Sequence, residues 1–457
     1  MGSPAAAGRE EAGRGAPPRS LVEARKRRDA ARSASSHGSP PRSGTAGRAA
    51  VRSRVRSAGG LTATGYSILG VVLVMFLFGM VMIFSASSGT ALRAHGSSYY
   101  YLLRQAVWFG VGLAAMCALA YMDYRRLAAL SPLLTAVTLV GLAAVLLIGT
   151  QAYGSKRSIV IGPVVVQPSE VAKLALLLLA AHFYCRRAER LDDWREIVNP
   201  VLLATALTCG LIIAEPDLGS MLVVALTVFI VLFLAGAPWR RLAVLAAVGG
   251  GATMIFIFSS AYRKARFLSF LDPWSVAREG GFHIIQSMIA LGSGRVSGLG
   301  LGMSRQKFFY LPNAHTDFIF SIIGEETGLI GTLAVLALFV LLTCLGLRVA
   351  RRAPDRLGRV LAMGITCMLG VQAVINMGAA TGIMPITGIT LPFFSYGGSS
   401  LVICMCLAGI LINVSRQEVA ERRGRERRSG SAGGDLRRRN GRPSPSPARP
   451  GRRARIA

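Results

Sequence analysis

The chain has 457 residues, 52% hydrophobic and only 16% charged, with a formal net charge of +30. Soluble globular domains carry roughly 25% charged residues, so this balance excludes an ordinary water-soluble enzyme and points to a chain dissolved mostly in lipid. Seven cysteines, an odd number with no CxxC spacing, exclude a disulfide framework and a zinc site.

Residues 1–62 read as a disordered, basic cytoplasmic tail: 1–60 hold 13 Lys and Arg against 4 Asp and Glu, with no early apolar core of the kind a cleavable signal needs. Residues 416–457, with 14 Lys and Arg against 4 acidic residues, read as a second such tail. Their basic charge suits anionic lipid, and they lack the aromatic side chains that stack on bases, so no nucleic-acid partner is expected.

Between the tails, apolar runs long enough to cross ~30 Å of hydrocarbon fall near 66–86, 102–122, 127–149, 169–185, 198–214, 218–236, 241–258, 318–347, 358–380 and 397–414. The expected fold is an all-α integral membrane protein with ten transmembrane helices in a domain spanning 63–415. Loop charge orients it. With the amino terminus inside, the inner loops collect pairs and clusters such as Arg125 and Arg126, Arg186 and Arg187, Arg240 and Arg241, and Arg351 and Arg352. The short outer loops carry only Arg93, Lys156 and Arg157, so both termini are expected in the cytoplasm.

The outer segment 259–317, between the seventh and eighth runs, is too long for a simple connection. It interleaves aromatics such as Phe267, Trp274 and Phe308 with cations, among them Arg266, Arg305 and Lys307, and 281–292 has the spacing of an amphipathic interfacial helix. A lipid-linked, phosphate-bearing substrate and a structural lid both fit this composition.

Ionisable and small polar residues at membrane depth mark four further places. Glu170 and Lys173, in Gln167-Pro168-Ser169-Glu170, are spaced to pair on one helical face, either bracing helices or serving a substrate. Glu215 and Asp217, in Glu215-Pro216-Asp217-Leu218-Gly219, suit helix capping first and cation binding second. Asp317, in Leu311-Pro312-Asn313-Ala314-His315-Thr316-Asp317-Phe318, sits at the mouth of the eighth run, where a half-desolvated carboxylate serves as a general base or as a helix cap. Ser395, Gly397, Gly398 and Ser399 open the last run, and close helix packing competes there with a phosphate nest. The alternating Gly298, Gly300 and Gly302 lack the βαβ context of a dinucleotide site.

Together the QPSE…K, EPDLG, LPNAHTDFIFSIIGEETG and LPFFSYGGSS segments resemble those of the SEDS membrane proteins (shape, elongation, division, sporulation), over about 64–415. The wording of the Asp317 segment and the long basic tails are more similar to the division branch than to the elongation branch. Two positions depart from the family pattern: Ser158 stands where a Trp usually follows the basic pair, and Thr387 where some division members have Lys.

The resemblance implies a multi-pass peptidoglycan glycosyltransferase of the bacterial plasma membrane, and its division branch implies action at the septum. It would polymerise lipid II onto a growing glycan strand, beside a class B penicillin-binding protein transpeptidase and other divisome membrane proteins. It implies Asp317 as the catalytic residue. Substrate contacts are then expected from Arg266, Arg305, Lys307 and His315, from Glu170 and Lys173, and from Ser395, Gly397, Gly398 and Ser399, with a divalent cation (Mg or Mn) as an alternative neutraliser of the leaving pyrophosphate. The rivals are a lipid II flippase, an elongation-type polymerase and a noncatalytic scaffold.

Overall fold

A computed structural model describes residues 61–440, except 153–154, 163, 192, 194, 196–197, 278–280 and 309–310. The tail residues 1–60 and 441–457 lie outside the described residues. The structure is mostly helical. In chain order its helices are α1 (Ala63–His95), α2 (Tyr100–Tyr121), α3 (Tyr124–Ala129), α4 (Ser131–Ile148), α5 (Pro168–Arg186), α6 (Leu203–Ala214), α7 (Leu218–Leu234), α8 (Trp239–Phe258), α9 (Ala261–Leu271), α10 (Phe282–Ser293), α11 (Ile319–Arg352), α12 (Arg356–Ala380) and α13 (Gly398–Asn440).

Seven of these are long and apolar enough to cross a membrane: α1, α2, α4, α8, α11, α12 and the first part of α13, Gly398–Val419. The runs expected at 169–185, 198–214 and 218–236 correspond to α5, to α6 with the π-helical turn Val198–Leu202 before it, and to α7. Helix α6 has 12 residues and α7 has 17, each short of the ~20 that a perpendicular crossing needs.

The all-α expectation requires correction. Between α4 and α5 the chain forms a three-stranded antiparallel sheet, β1 (Thr150–Ala152), β2 (Ser155–Ile161) and β3 (Val164–Val166), in the order β1-β2-β3. Ile159 pairs with Val166 and Ile161 with Val164 across a turn at Gly162, where φ is +60°. Neighbouring β-branched residues favour this extended backbone over a helix. The boundary expected at 415 also falls inside α13, where Arg416 donates to the Ala120 carbonyl and Gln417 to Asp123.

Small residues set the closest packing. A Cβ on Gly398 would lie 2.3 Å from Trp108 Nε1, and one on Gly409 would lie 2.6 Å from the Met116 carbonyl oxygen, so α13 and α2 meet nearly backbone to backbone. Helices α5, α12 and α13 form the buried centre, while α8 is mostly exposed on its apolar faces.

The outer segment is built into the bundle. Helix α10 buries Ile284, Ile285, Ser287 and Ala290, and Ser287 Oγ donates to the Ala380 carbonyl at 2.6 Å. Helix α11 breaks at Gly328 (φ 69°, ψ −162°), and residues 295–300 fill the break. The Leu299 and Gly300 amides donate to the Glu325 and Glu326 carbonyls, and the Leu329 and Ile330 amides donate to the Arg295 and Val296 carbonyls, all at 2.9–3.3 Å. A Cβ at Gly298 would come within 2.2 Å of the Glu326 carbonyl oxygen, which explains a glycine there better than any nucleotide motif.

Candidate active site

Asp317 lies just before α11 without occupying its cap position. That position is Phe318, which makes no side-chain cap bond, and the Thr316 hydroxyl turns back to the Asn313 carbonyl at 3.2 Å. The helix-cap reading of Thr316 and Asp317 is therefore set aside.

Three consecutive carbonyls hold the backbone here. The Tyr396 amide donates to the His315 carbonyl at 2.9 Å, Ser395 Oγ to that of Thr316 at 2.6 Å, and Asn376 Nδ2 to that of Asp317 at 2.9 Å. Asn376 also donates to the Ile389 carbonyl at 2.7 Å, so one buried amide on α12 joins both loops that meet at Asp317. Gln105 on α2 grips the same corner, donating to the Ser395 carbonyl and accepting from the Gly397 amide, each at 3.3 Å. Such clamps fix where a reactive carboxylate sits without consuming its oxygens.

Arg157 on β2 approaches this carboxylate. Arg157 Nη1 and Asp317 Oδ2 both lie within 4 Å of the point that a side chain on Gly388 (φ +71°) would occupy. A glycine at 388 keeps that space open. Arg157 Nη2 donates to the Pro216 carbonyl at 3.1 Å, which anchors the guanidinium to the turn between α6 and α7.

In that turn Asp217 caps α7 by accepting from the Ser220 amide at 3.0 Å. Glu215 is fully buried, with no hydrogen-bond partner for either carboxylate oxygen among the described residues. Burial, helped by the negative charge of Asp217 and opposed by Arg157, pushes its pKa up to about 8. Folding thus favours the protonated acid. Between the ordinary carboxylate range and about pH 8 the folded state holds a proton that the unfolded chain has released, so stability falls as pH rises through this window. Glu215→Gln should raise the melting temperature more at pH 8 than at pH 5. An equal rise at both values would show that Glu215 is already ionised when folded.

The other sequence candidates divide by position. Glu170 and Lys173 pair at 2.7 Å inside the bundle, where Lys173 also donates to Gln372 Oε1 at 3.3 Å. Gln372 in turn donates to the Thr390 carbonyl at 3.0 Å, so the pair braces α5 against α12 and the loop beyond it. Lys307 is buried and pairs with Glu326 at 3.1 Å, with the Ser85 hydroxyl also donating to Glu326. Its ammonium is engaged in joining the outer segment to α11 and α1, away from the expected phosphate role. Arg305 is exposed, and only its backbone amide is fixed, donating to Glu325 at 2.9 Å. Arg266 lies on α9, but its side chain falls outside the described residues.

His315 is flanked by the rings of Tyr101 (centroids 4.8 Å) and Tyr396 (5.7 Å). Burial pushes its pKa down to about 4, so at neutral pH it is an uncharged imidazole and no phosphate cation. Ser399 Oγ donates to the Val165 carbonyl at 3.0 Å and accepts from the Gln167 amide at 3.2 Å. With Ser395 on Thr316, the Gly397 amide on Gln105 and Gly398 against Trp108, this segment packs and clamps rather than forming a phosphate nest.

The family model for cell-cycle proteins of the FtsW, RodA and SpoVE type matches residues 66–420. The chain belongs to this family. It is 39% identical over 350 residues to a probable peptidoglycan glycosyltransferase FtsW of Geobacter metallireducens, covering 76% of this chain and 93% of that one. It is equally 39% identical over 348 residues to stage V sporulation protein E of Bacillus subtilis, covering 76% and 95%. Among solved structures it resembles one described as "Structural coordination of polymerization and crosslinking by a peptidoglycan synthase complex", with TM-score 0.64, 33% identity and coverage of 77% and 98%. It also resembles the rod shape determining protein RodA of Thermus thermophilus, with TM-score 0.57, 32% identity and coverage of 77% and 96%.

Sequence reasoning passed over Arg157, Asn376, Gln105 and Gln372. The signal for the three amides was their presence inside apolar runs, and for Arg157 its rarity as an outer-loop cation.

Proposed function

We propose that this chain is the peptidoglycan glycosyltransferase of a division-type assembly, polymerising lipid II by inverting transfer with release of undecaprenyl pyrophosphate. The glycosyltransferase activity follows from family membership along nearly the whole apolar domain and from the relatives of that name. The observation that carries the mechanism is the clamped Asp317 with Arg157 beside it over Gly388.

Asp317 takes the proton from the acceptor sugar's 4-hydroxyl as that oxygen attacks the anomeric carbon of the growing strand. One base suffices for inversion when the leaving group is already a good one. Negative charge grows on the departing pyrophosphate, and Arg157 supplies the fixed positive charge that this oxygen needs. Among the described residues no three His, Cys, Asp or Glu side chains gather as a metal cradle.

The site faces the outside in this reading, with α5, α6 and α7 completing ten spans and both termini in the cytoplasm of a bacterial cell. A class B penicillin-binding protein transpeptidase is the partner that fits. The solved peptidoglycan synthase complex, with its coordinated polymerisation and crosslinking, supports that pairing.

The test is polymerisation of labelled lipid II by the purified chain with its transpeptidase partner. A glycan ladder is expected. Transfer of lipid II across a liposome bilayer with no ladder would favour the flippase instead. Within the same assay Arg157→Gln should lower kcat/KM about 100-fold, as loss of a transition-state charge partner does, while Arg305→Gln stays within about twofold. The opposite ranking would return the pyrophosphate to the outer loop.

A further inference from the structure

Five rings gather beside Asp317 that the chemistry above does not use. His95, at the end of α1, stacks on Tyr100 with centroids 3.7 Å apart and meets Tyr101 edge-on at 5.7 Å. Tyr101 also meets Tyr396 at 5.0 Å and His315 at 4.8 Å. Arg104 donates to the Tyr100 hydroxyl at 2.8 Å, which restrains that ring. His95 is exposed and the other four are half-buried, so the group forms a shelf rather than part of the core. It is tied to the site at its inner end: His315 is two residues from Asp317, and the Tyr396 amide holds the His315 carbonyl.

We infer that this shelf is a saccharide subsite, the place where the acceptor's amino sugars lie while their 4-hydroxyl faces Asp317.

Two features favour a sugar. A hexopyranose offers a face of C–H groups, which rests on the negative face of an aromatic ring, while its hydroxyls seek donors and acceptors at the ring edges. Tyrosine and histidine rings present both. A lipid-facing aromatic belt needs its rings splayed along the membrane boundary, whereas here Tyr101, His315 and Tyr396, from three separate chain segments, all meet one another, and His95 and Tyr100 join them at Tyr101. The inference rests on the glycosyl-transfer reading. Contacts to sugars remote from the reacting carbon orient it, so their loss should raise KM more than it lowers kcat.

The probe is the soluble, lipid-free disaccharide N-acetylglucosaminyl-N-acetylmuramic acid, followed by saturation-transfer NMR on the full chain in nanodiscs. Expected results are binding to the native chain, at least about tenfold weaker binding to the His95→Leu/Tyr100→Leu double variant, and a similar rise in the lipid II KM with kcat within about twofold. Tyr100→Phe, which keeps the ring, should match the native chain. Should the double variant fail to fold, Tyr100→Gln, which removes the ring but keeps a polar side chain, provides the same comparison. Unchanged probe binding and KM in a ring-deleted variant, even one with a lower melting temperature, would overturn the subsite. A native chain that forms glycan but does not bind the disaccharide would also overturn it while leaving the enzyme reading intact. A chain that binds the disaccharide at these rings yet never forms glycan would keep the subsite and sink the polymerase.

Discussion

Asp317→Asn is expected to leave a folded, partner-binding protein that makes glycan at least about 100-fold more slowly than the native chain. The substitution removes proton affinity and little else. The clamps at this corner act on the backbone carbonyls of His315, Thr316 and Asp317, so they survive a change of side chain. Labelled lipid II polymerisation measures the effect, with melting temperature and co-purification of the transpeptidase as controls for folding. Near-native polymerisation by the folded Asn protein would end the assignment of Asp317 as base.

The second large effect is expected inside the bundle. Lys173→Met strands the Glu170 carboxylate, for which Lys173 is the one hydrogen-bond and ion-pair partner among the described residues, and should cost about 3–5 kcal/mol. Glu170→Gln should cost less, because Lys173 keeps Gln372 Oε1 at 3.3 Å. A Glu170→Leu/Lys173→Met double variant buries no charge and should recover most of the loss, the signature of a coupled pair in a double-mutant cycle. Detergent-resistance and thermal melts read the ranking. Additive losses would mean that the two residues act on different partners. A loss of polymerisation in the stable double variant is expected to act through Gln372, which joins Lys173 to the Thr390 carbonyl.

What could be read from residue order was the property that repeats or stands out. Ten apolar runs each fell on helix, and Asp317, Glu170 and Lys173 stood out as charges beside or within them. What could not be read depends on partners far along the chain. Lys307 looked like a loop cation because its partner Glu326 lies 19 residues further on, inside α11. The sheet had a local signal, the β-branched run Ile159-Val160-Ile161 before Val164-Val165-Val166, but a short loop between two apolar runs concealed it. Ser395 and Ser399 offered hydroxyls that suit a phosphate equally well until their carbonyl partners on Thr316 and Val165 are known.

The break in α11 changes how that helix is held in place. A continuous helix closes its own backbone bonds and tolerates any neighbour, whereas Leu329 and Ile330 depend on carbonyls at Arg295 and Val296, a stretch outside the helix altogether. In hydrocarbon those amides have no water to fall back on. Residues 295–300 and 325–330 should therefore exchange their amide hydrogens as one cooperative unit, despite a separation of a full loop in the chain. A protease cut within 295–300 would then loosen not an appendage but the first third of α11, and with it the Asp317 carboxylate just before its start.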